Sequence, residues 1–413
     1  MGNFIGYLCS ICGKEYQPDQ VTYTCPDDNG ILDVLLDYDE LAKKSTDELI
    51  NKSEASLWRY FPLLPVSKLI GEGTTLRSAG WTPTFSPPQL KNKLGLKDLW
   101  VKDESSNPTA SFKDRASAVL VARAKEIGAQ VIVTASTGNA GAALAGMAAA
   151  VDQDSVIFAP KLAPPAKIAQ LLVYGARVIL VDDSYDAAYK LSQEASEEFG
   201  WYNRNTGYNP FTAEGKKTAA YEIWEQVLLK YKLDQPLNLF VSVGDGNIIS
   251  GIHKGFKDLF KIGQIRYMPR IFGCQSTGSA AIYNAYKSGT EEIIPVTATT
   301  LADSISVNLP SDGLRALRAA TQTDGAYIAV EDQAILEAIS DLGKVGIFAE
   351  PAGSTALAGL KQALKDGLVN KDEPVLVLNT GSGLKDVKAA KQAAGDAPVI
   401  APDLEEVKKL IGS

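Results

Sequence analysis

An α/β protein built on open parallel sheets, preceded by a small cysteine-bearing appendage, is the fold this sequence predicts. Three observations predict it. Short apolar runs (DLWVKD, QVIVTAS, DSVIFAP, ARVILVDD, NLFVSVG and PVLVLNTG) alternate with segments of helical period, which is the rhythm of βα units. Most of these runs end in small or polar residues leading toward a helix, so their carboxyl ends carry the loops that bind ligands in open α/β sheets. Three of the four cysteines are crowded between Cys9 and Cys25, which sets the first stretch apart from the rest.

Length and charge bound the possibilities further. With 413 residues and 45% apolar content the chain can bury more than one core, so two or more domains are expected. The boundaries fall at an appendage over 1–45, a larger domain from 46–110 together with 211–413, and a smaller α/β domain over 111–210, with the site between the last two. A formal charge of −8 leaves no basic field for nucleic acid or an anionic membrane, so an anionic ligand needs a local positive pocket. No apolar run reaches the roughly 18 to 20 residues that cross a bilayer, and the N-terminus lacks the charged-then-apolar order of a secretory signal, so a cytoplasmic protein is expected.

In chain order, the appendage comes first. Cys9-x-x-Cys12 and Cys25 have zinc-knuckle spacing, with Asp28 standing where a fourth cysteine would complete the second pair. Two readings stay open: a Cys₃Asp zinc site, since a carboxylate oxygen is an acceptable ligand, or a relic of such a site, the commoner outcome when one thiolate is missing. Cys274 stands apart, and burial is expected for it.

Next comes ESSNPTASFKDRASAVLVARAKE, a polar turn running into an amphipathic helix with Lys113 at its start. A helix N-terminus and partial burial both lower an amine's pKa, which suits a lysine that forms a Schiff base. VIVTASTGNAGAALAGMAAA is a strand, a glycine-punctuated turn and a small-residue helix. Close packing explains Gly141, Ala145 and Gly146, but Ser136, Thr137 and Asn139 are better explained as an anion site at a helix N-terminus. NLFVSVGDGNIISGIHKGFKDL repeats the pattern, with Gly244, Gly246 and Asn247 forming an amide cradle suited to phosphate. Neither GxxxxGK[ST] nor GxGxxG is present here, which disfavours nucleotides. PVLVLNTGSGLKD ends a strand on Thr380 beside two glycines, leaving a hydroxyl at a sheet edge. His253, the only histidine, falls inside the helix after the cradle and is read as a packing residue, so no histidine triad is available.

Together these segments resemble the fold-type II pyridoxal-phosphate enzymes, and SFKDRAS, ASTGNAGAALA, YNPFTAEGKKTAAYEI, GDGNIISGIHKGFKDL, GIFAEPAGSTALAGL and NTGSGLKD in this order resemble the threonine synthases among them. The resemblance implies two doubly wound open sheets with the active site between them. It implies Lys113 as the cofactor lysine, Phe112 packed near the ring, and Asn139 on the cofactor's phenolic oxygen. Gly244, Asp245, Gly246, Asn247 and Ile248 would lie around its phosphate and Thr380 on its pyridine nitrogen. It further implies conversion of O-phosphohomoserine and water to threonine and phosphate in a homodimer. The substrate carboxylate is expected on Ser136 and Thr137, and its phosphate on Lys167, Arg204 and Asn209. Asp245 departs from the asparagine usual in that loop, and its side chain is expected to turn away while the backbone amide serves. The rival readings are a cysteate synthase, a threonine or serine dehydratase, and a non-catalytic binding protein on the same fold. Only a short tail follows the Thr380 region, which argues against a regulated dehydratase with an extra domain.

Overall fold

The computed structural model describes residues 3–412. The chain begins with β1 (Phe4–Cys9), β2 (Glu15–Tyr16) and β3 (Leu32–Leu36), an antiparallel sheet ordered β2-β1-β3. In β3 the sequence LDVLL alternates, with Leu32, Val34 and Leu36 buried, the period of a strand with one face packed. That face has no core of its own. Tyr7, Leu32, Val34 and Leu36 belong to one continuous apolar cluster with Tyr202, Phe211 and Phe256 from later in the chain. Polar contacts reinforce the docking: Tyr38 donates to Asp258 (2.7 Å), Arg315 pairs with Asp33 (2.6 Å), and the ring of Tyr23 stacks on Tyr208 (4.5 Å between centroids).

Next come β4 (Thr84–Phe85), β5 (Asp98–Asp103), β6 (Val131–Ala135), β7 (Asp154–Pro160), β8 (Arg177–Val181), β9 (Tyr202–Asn203), β10 (Asn238–Ser242), β11 (Arg270–Ser276), β12 (Tyr327–Val330) and β13 (Pro374–Asn379). They form a six-stranded sheet ordered β12-β11-β10-β13-β5-β4 and a four-stranded sheet ordered β8-β7-β6-β9. Every pairing is parallel except β4 against β5.

Each sheet is covered on both faces. In β10, Leu239 and Val241 point into the cluster containing Ile252 and Phe256 of helix Asn247–Lys261, while Phe240 points into a second cluster with Ala356, Leu357 and Leu360 of helix Pro351–Lys365. All residues of β10 and β13 are buried, which explains why these strands are continuous apolar runs rather than alternating ones. In the smaller sheet Val133 and Phe158 face Ala188, while Ile157 faces Ala142 and Leu171 on the other side. The chain passes from the larger sheet to the smaller between β5 and helix Lys113–Glu126, and returns through helices Phe211–Lys216 and Thr218–Ile223. The strand ends that carry loops therefore converge from both sheets. Cys274 is fully buried, and His253 is buried within helix Asn247–Lys261, where desolvation pushes its pKa down to about 3.

Candidate active site

Beneath the site lies a buried ionic frame. Lys102 at the end of β5 meets Glu222 (2.8 Å), and Arg115, two residues after Lys113, is held by Glu104 (2.7 Å) and by the same Glu222. All of these side chains are buried, so their charges are compensated by one another and fix how helix Lys113–Glu126 leaves the sheet. Asp114 accepts from the amide (2.6 Å) and hydroxyl of Thr109, and burial pushes its carboxyl up to about 6.

On this frame Lys113 opens into a cavity of about 1090 Å³ between the two sheets. Among the described residues its amine has no hydrogen-bond or ion-pair partner. Desolvation first, and the charge of Arg204 second, lower its pKa to about 8, against the opposing pull of Asp245 and Glu350. Phe112, Ser136, Thr137, Asn139, Arg204, Gly244, Asp245, Gly246, Asn247, Ile248 and Thr380 line the same cavity. Eleven positions expected from sequence thus gather around the twelfth.

The cradle at the start of helix Asn247–Lys261 depends on its glycines. Gly246 has φ +91°, and a Cβ there would lie 2.5 Å from the Asp312 carbonyl oxygen; one on Gly244 would lie 2.8 Å from Ile305 Cα. The Asp245 carboxylate accepts from the Ser311 hydroxyl (3.2 Å) and amide (3.4 Å). The Asn247 side chain is also occupied, accepting from Lys216 (2.6 Å) and donating to Asp312 (2.7 Å), so the loop offers its backbone to a ligand. On the opposite wall Gly141 clears the Ser136 carbonyl, which a Cβ would approach to 2.1 Å, and Asn139 donates to both oxygens of buried Glu350 (2.9 and 3.1 Å). Burial raises the pKa of Glu350, and Asn139 and Lys113 draw it back down.

The profile of the family described as "Pyridoxal-phosphate dependent enzyme" matches residues 75–381. Threonine synthase of Methanocaldococcus jannaschii is 37% identical over 409 residues, covering 98% of both chains. The chain belongs to the threonine synthase family of pyridoxal-phosphate-dependent enzymes. The enzyme is also 35% identical to threonine synthase of Methanosarcina acetivorans over 98% of both chains. Among solved structures, the processed form of threonine deaminase isoform 2 from Solanum lycopersicum shares the fold with a TM-score of 0.64 at 22% identity, covering 76% of this chain and 83% of that one. Maize serine racemase does so with a TM-score of 0.62 at 22% identity, covering 80% and 91%. The fold is thus that of the fold-type II pyridoxal-phosphate enzymes, and the enzyme is a lyase dependent on that cofactor.

The cavity suits a phosphate-bearing carbonyl cofactor on its own evidence. Two fully buried polar atoms among the lining residues, Ser242 Oγ and Arg204 Nη2, have no hydrogen-bond partner among the described residues. Orphaned donors of this kind await an acceptor. Beside them stand an unpaired amine and a glycine-cradled helix terminus.

Two expected positions fall elsewhere. Asn209 is buried outside the cavity lining, its amide donating to the Asn203 carbonyl (2.8 Å) and its oxygen accepting from the Phe211 amide (2.9 Å). It shapes the turn into helix Phe211–Lys216 and is not placed to meet substrate. Lys167 sits at the rim, pairing with Asp303 (2.7 Å) in a recess that shares Thr137, Asn139 and Glu350 with the main cavity. Two residues were missed as site members. Glu350, within the segment GIFAEPAGSTALAGL, holds Asn139 from the opposite wall. Lys216 lines the cavity, and its pKa is pushed well down by burial and by the charges of Lys113 and Arg204. The signal for Lys216 was the doublet Lys216-Lys217 inside an otherwise small and apolar segment, where a charged pair needs partners.

Proposed function

We propose that this enzyme is a threonine synthase that converts O-phosphohomoserine and water to threonine and phosphate, acting as a cytoplasmic homodimer. What carries the reading is the end-to-end likeness to proteins named threonine synthase, joined to a cavity in which the unpaired Lys113 amine faces a second cationic group, Arg204. A reducing compartment accords with four free thiols, and the homodimer rests on the family resemblance. We place the smaller domain over 111–210, with the larger one on either side of it in sequence.

Lys113 would hold the cofactor, with Phe112 against the ring, Asn139 toward the phenolic oxygen and Thr380 toward the pyridine nitrogen. The backbone of Gly244 to Ile248 would receive the phosphate at the helix terminus. Pyridoxal phosphate, when bound, supplies the electron sink that acidifies the substrate's Cα and Cβ hydrogens. Lys113, with a pKa near 8, is available as both base and acid, and it moves protons at those two carbons. The Ser136–Thr137 turn binds the substrate carboxylate. Arg204, with a guanidinium nitrogen unsatisfied, attracts the substrate phosphate, and Lys167 adds charge at the rim. The leaving phosphate departs from Cγ, and water enters at Cβ within the same cavity.

The test is phosphate release and threonine formation from O-phosphohomoserine by purified protein with pyridoxal phosphate. Wild type is expected to make threonine and the Lys113→Ala variant none. Cofactor absorbance in wild type that Lys113→Ala lacks, without threonine formation, would overturn the substrate assignment while leaving the lysine assignment standing, and phosphoserine with sulfite would be tried next.

A further inference from the structure

The cysteine knuckle plays no part in the reaction, yet its donor atoms are assembled. The Sγ atoms of Cys9, Cys12 and Cys25 and a carboxylate oxygen of Asp28 all lie within 4.8 Å of one another. Cys12 and Cys25 sulfurs are 3.8 Å apart, and Cys9 sulfur lies 3.3 and 3.5 Å from the two Asp28 oxygens. With metal–sulfur bonds of about 2.3 Å and a metal–oxygen bond of about 2.0 Å, neighbouring ligands on a tetrahedral zinc stand about 3.8 Å (S to S) and about 3.5 Å (S to O) apart. The Cys12–Cys25 and Cys9–Asp28 spacings match these, and the remaining pairs lie within 4.8 Å. A disulfide would need about 2.05 Å, and all three thiols are free.

The surroundings orient these groups as metal ligands. The Ile11 amide donates to Cys9 Sγ (3.4 Å), the Tyr16 hydroxyl lies 3.0 Å from Cys25 Sγ, and the Gly30 amide donates to Asp28 Oδ1 (2.7 Å). Such contacts stabilise thiolates and fix a carboxylate's direction. Gly30 is where the two knuckles approach each other: a Cβ there would lie 2.6 Å from Cys9 Sγ and 2.8 Å from Asp28 Oδ1.

We propose that Cys9, Cys12, Cys25 and Asp28 bind one structural Zn²⁺, with Asp28 as a true ligand in place of a fourth thiolate. Three thiolates select a soft or borderline cation over magnesium or calcium, and four protein donors leave no open position for catalysis. Binding releases the three thiol protons to solvent. The metal ties the tip of the β1–β2 hairpin to the turn before β3. Ser10, inside the first knuckle, accepts from Arg318 (2.5 Å), which carries that rigidity to helix Gly313–Thr321.

The test uses the full-length chain, purified without a histidine tag or chelator from zinc-supplemented medium. The single histidine, His253, is buried, so it offers no competing surface site. Elemental analysis is expected to find about one zinc per chain. Replacement by Co²⁺ is expected to give a thiolate-to-cobalt charge-transfer band with the intense visible bands of a tetrahedral centre. Cys12 is exposed, so Cys12→Ser should stay folded by circular dichroism while losing the zinc; Asp28→Cys should keep it and Asp28→Ala should hold it more weakly. Cys274→Ser should change nothing in the metal content. A wild-type protein with no zinc above background and no cobalt band, or a Cys12→Ser variant with undiminished zinc, would overturn the site. Equal zinc retention in Asp28→Ala and wild type would remove Asp28 from the ligand set.

Discussion

A single amine sets the acid–base behaviour of the cavity. Burial and Arg204 hold Lys113 near 8, while Asp245 and Glu350 pull the other way. Capture of a carbonyl cofactor needs the neutral amine, so the rate at which apoenzyme takes up pyridoxal phosphate should rise with pH and level off above about 8. Arg204→Gln removes a cation that disfavours protonation, so its midpoint should move to higher pH; Glu350→Gln removes an anion that favours protonation, so its midpoint should move lower. Stopped-flow absorbance across pH checks both directions, and unmoved midpoints would mean that desolvation alone sets the value. At this scale the sequence was legible wherever chemistry is written locally. Ser136, Gly246 and Thr380 each follow a strand by one to four residues, and the strand end delivers them to the cavity, while Lys113 opens the helix that follows β5 after a longer turn. Lys216, by contrast, comes from a helix that reaches the cavity through long-range packing. Asn209 illustrates the converse: an asparagine two residues before Phe211 has a backbone partner available on the spot, and that local bond determined its role.

The elements that meet beneath the site are joined by charge. Glu222, in helix Thr218–Ile223, accepts from Arg115 and Lys102 and also receives the amides of Trp81 (2.7 Å) and Thr82 (3.1 Å). Removing it leaves two buried cations short of an anion, which typically costs about 3–5 kcal/mol. Against a net stability of about 5–15 kcal/mol, Glu222→Ala should lower the denaturant midpoint severely, and retention of stability to within about 1 kcal/mol would show that water or Glu104 replaces it. Strands buried on both faces, such as β10 and β13, were plain in the sequence as uninterrupted apolar runs. β11 and β12 were not singled out. RIFGCQS begins and ends with polar residues that hydrogen-bond at the sheet margins, as when Arg270 donates to Asn238 and Ser276 to Asp332, and YIAV is only four residues long. Two-residue β4 and β9 are set by their partners and carry no pattern of their own.

For the whole molecule, the composition shift after the cysteines suggests an appendage, and the structure makes that region part of the larger core. Tyr7, Tyr16, Leu32, Val34, Leu36 and Leu41 are all buried in the cluster that also contains Tyr202 and Phe211. Sequence cannot show this, because an apolar face in a short sheet reads the same whether it closes on itself or on a neighbour. Each such side chain contributes about 1.5–3 kcal/mol when buried, so the six together contribute at most roughly 9–18 kcal/mol. That is of the same order as the net stability of about 5–15 kcal/mol available to a domain. A chain begun at residue 46 should therefore fail to melt cooperatively and should bind an apolar dye, even with pyridoxal phosphate present. Calorimetry and dye fluorescence decide the matter. A shortened chain that melts as one transition near the full-length temperature would mean that helices Phe211–Lys216 and Asn247–Lys261 can repack over the exposed face, and that the N-terminal sheet is an accessory to the catalytic fold rather than a piece of it.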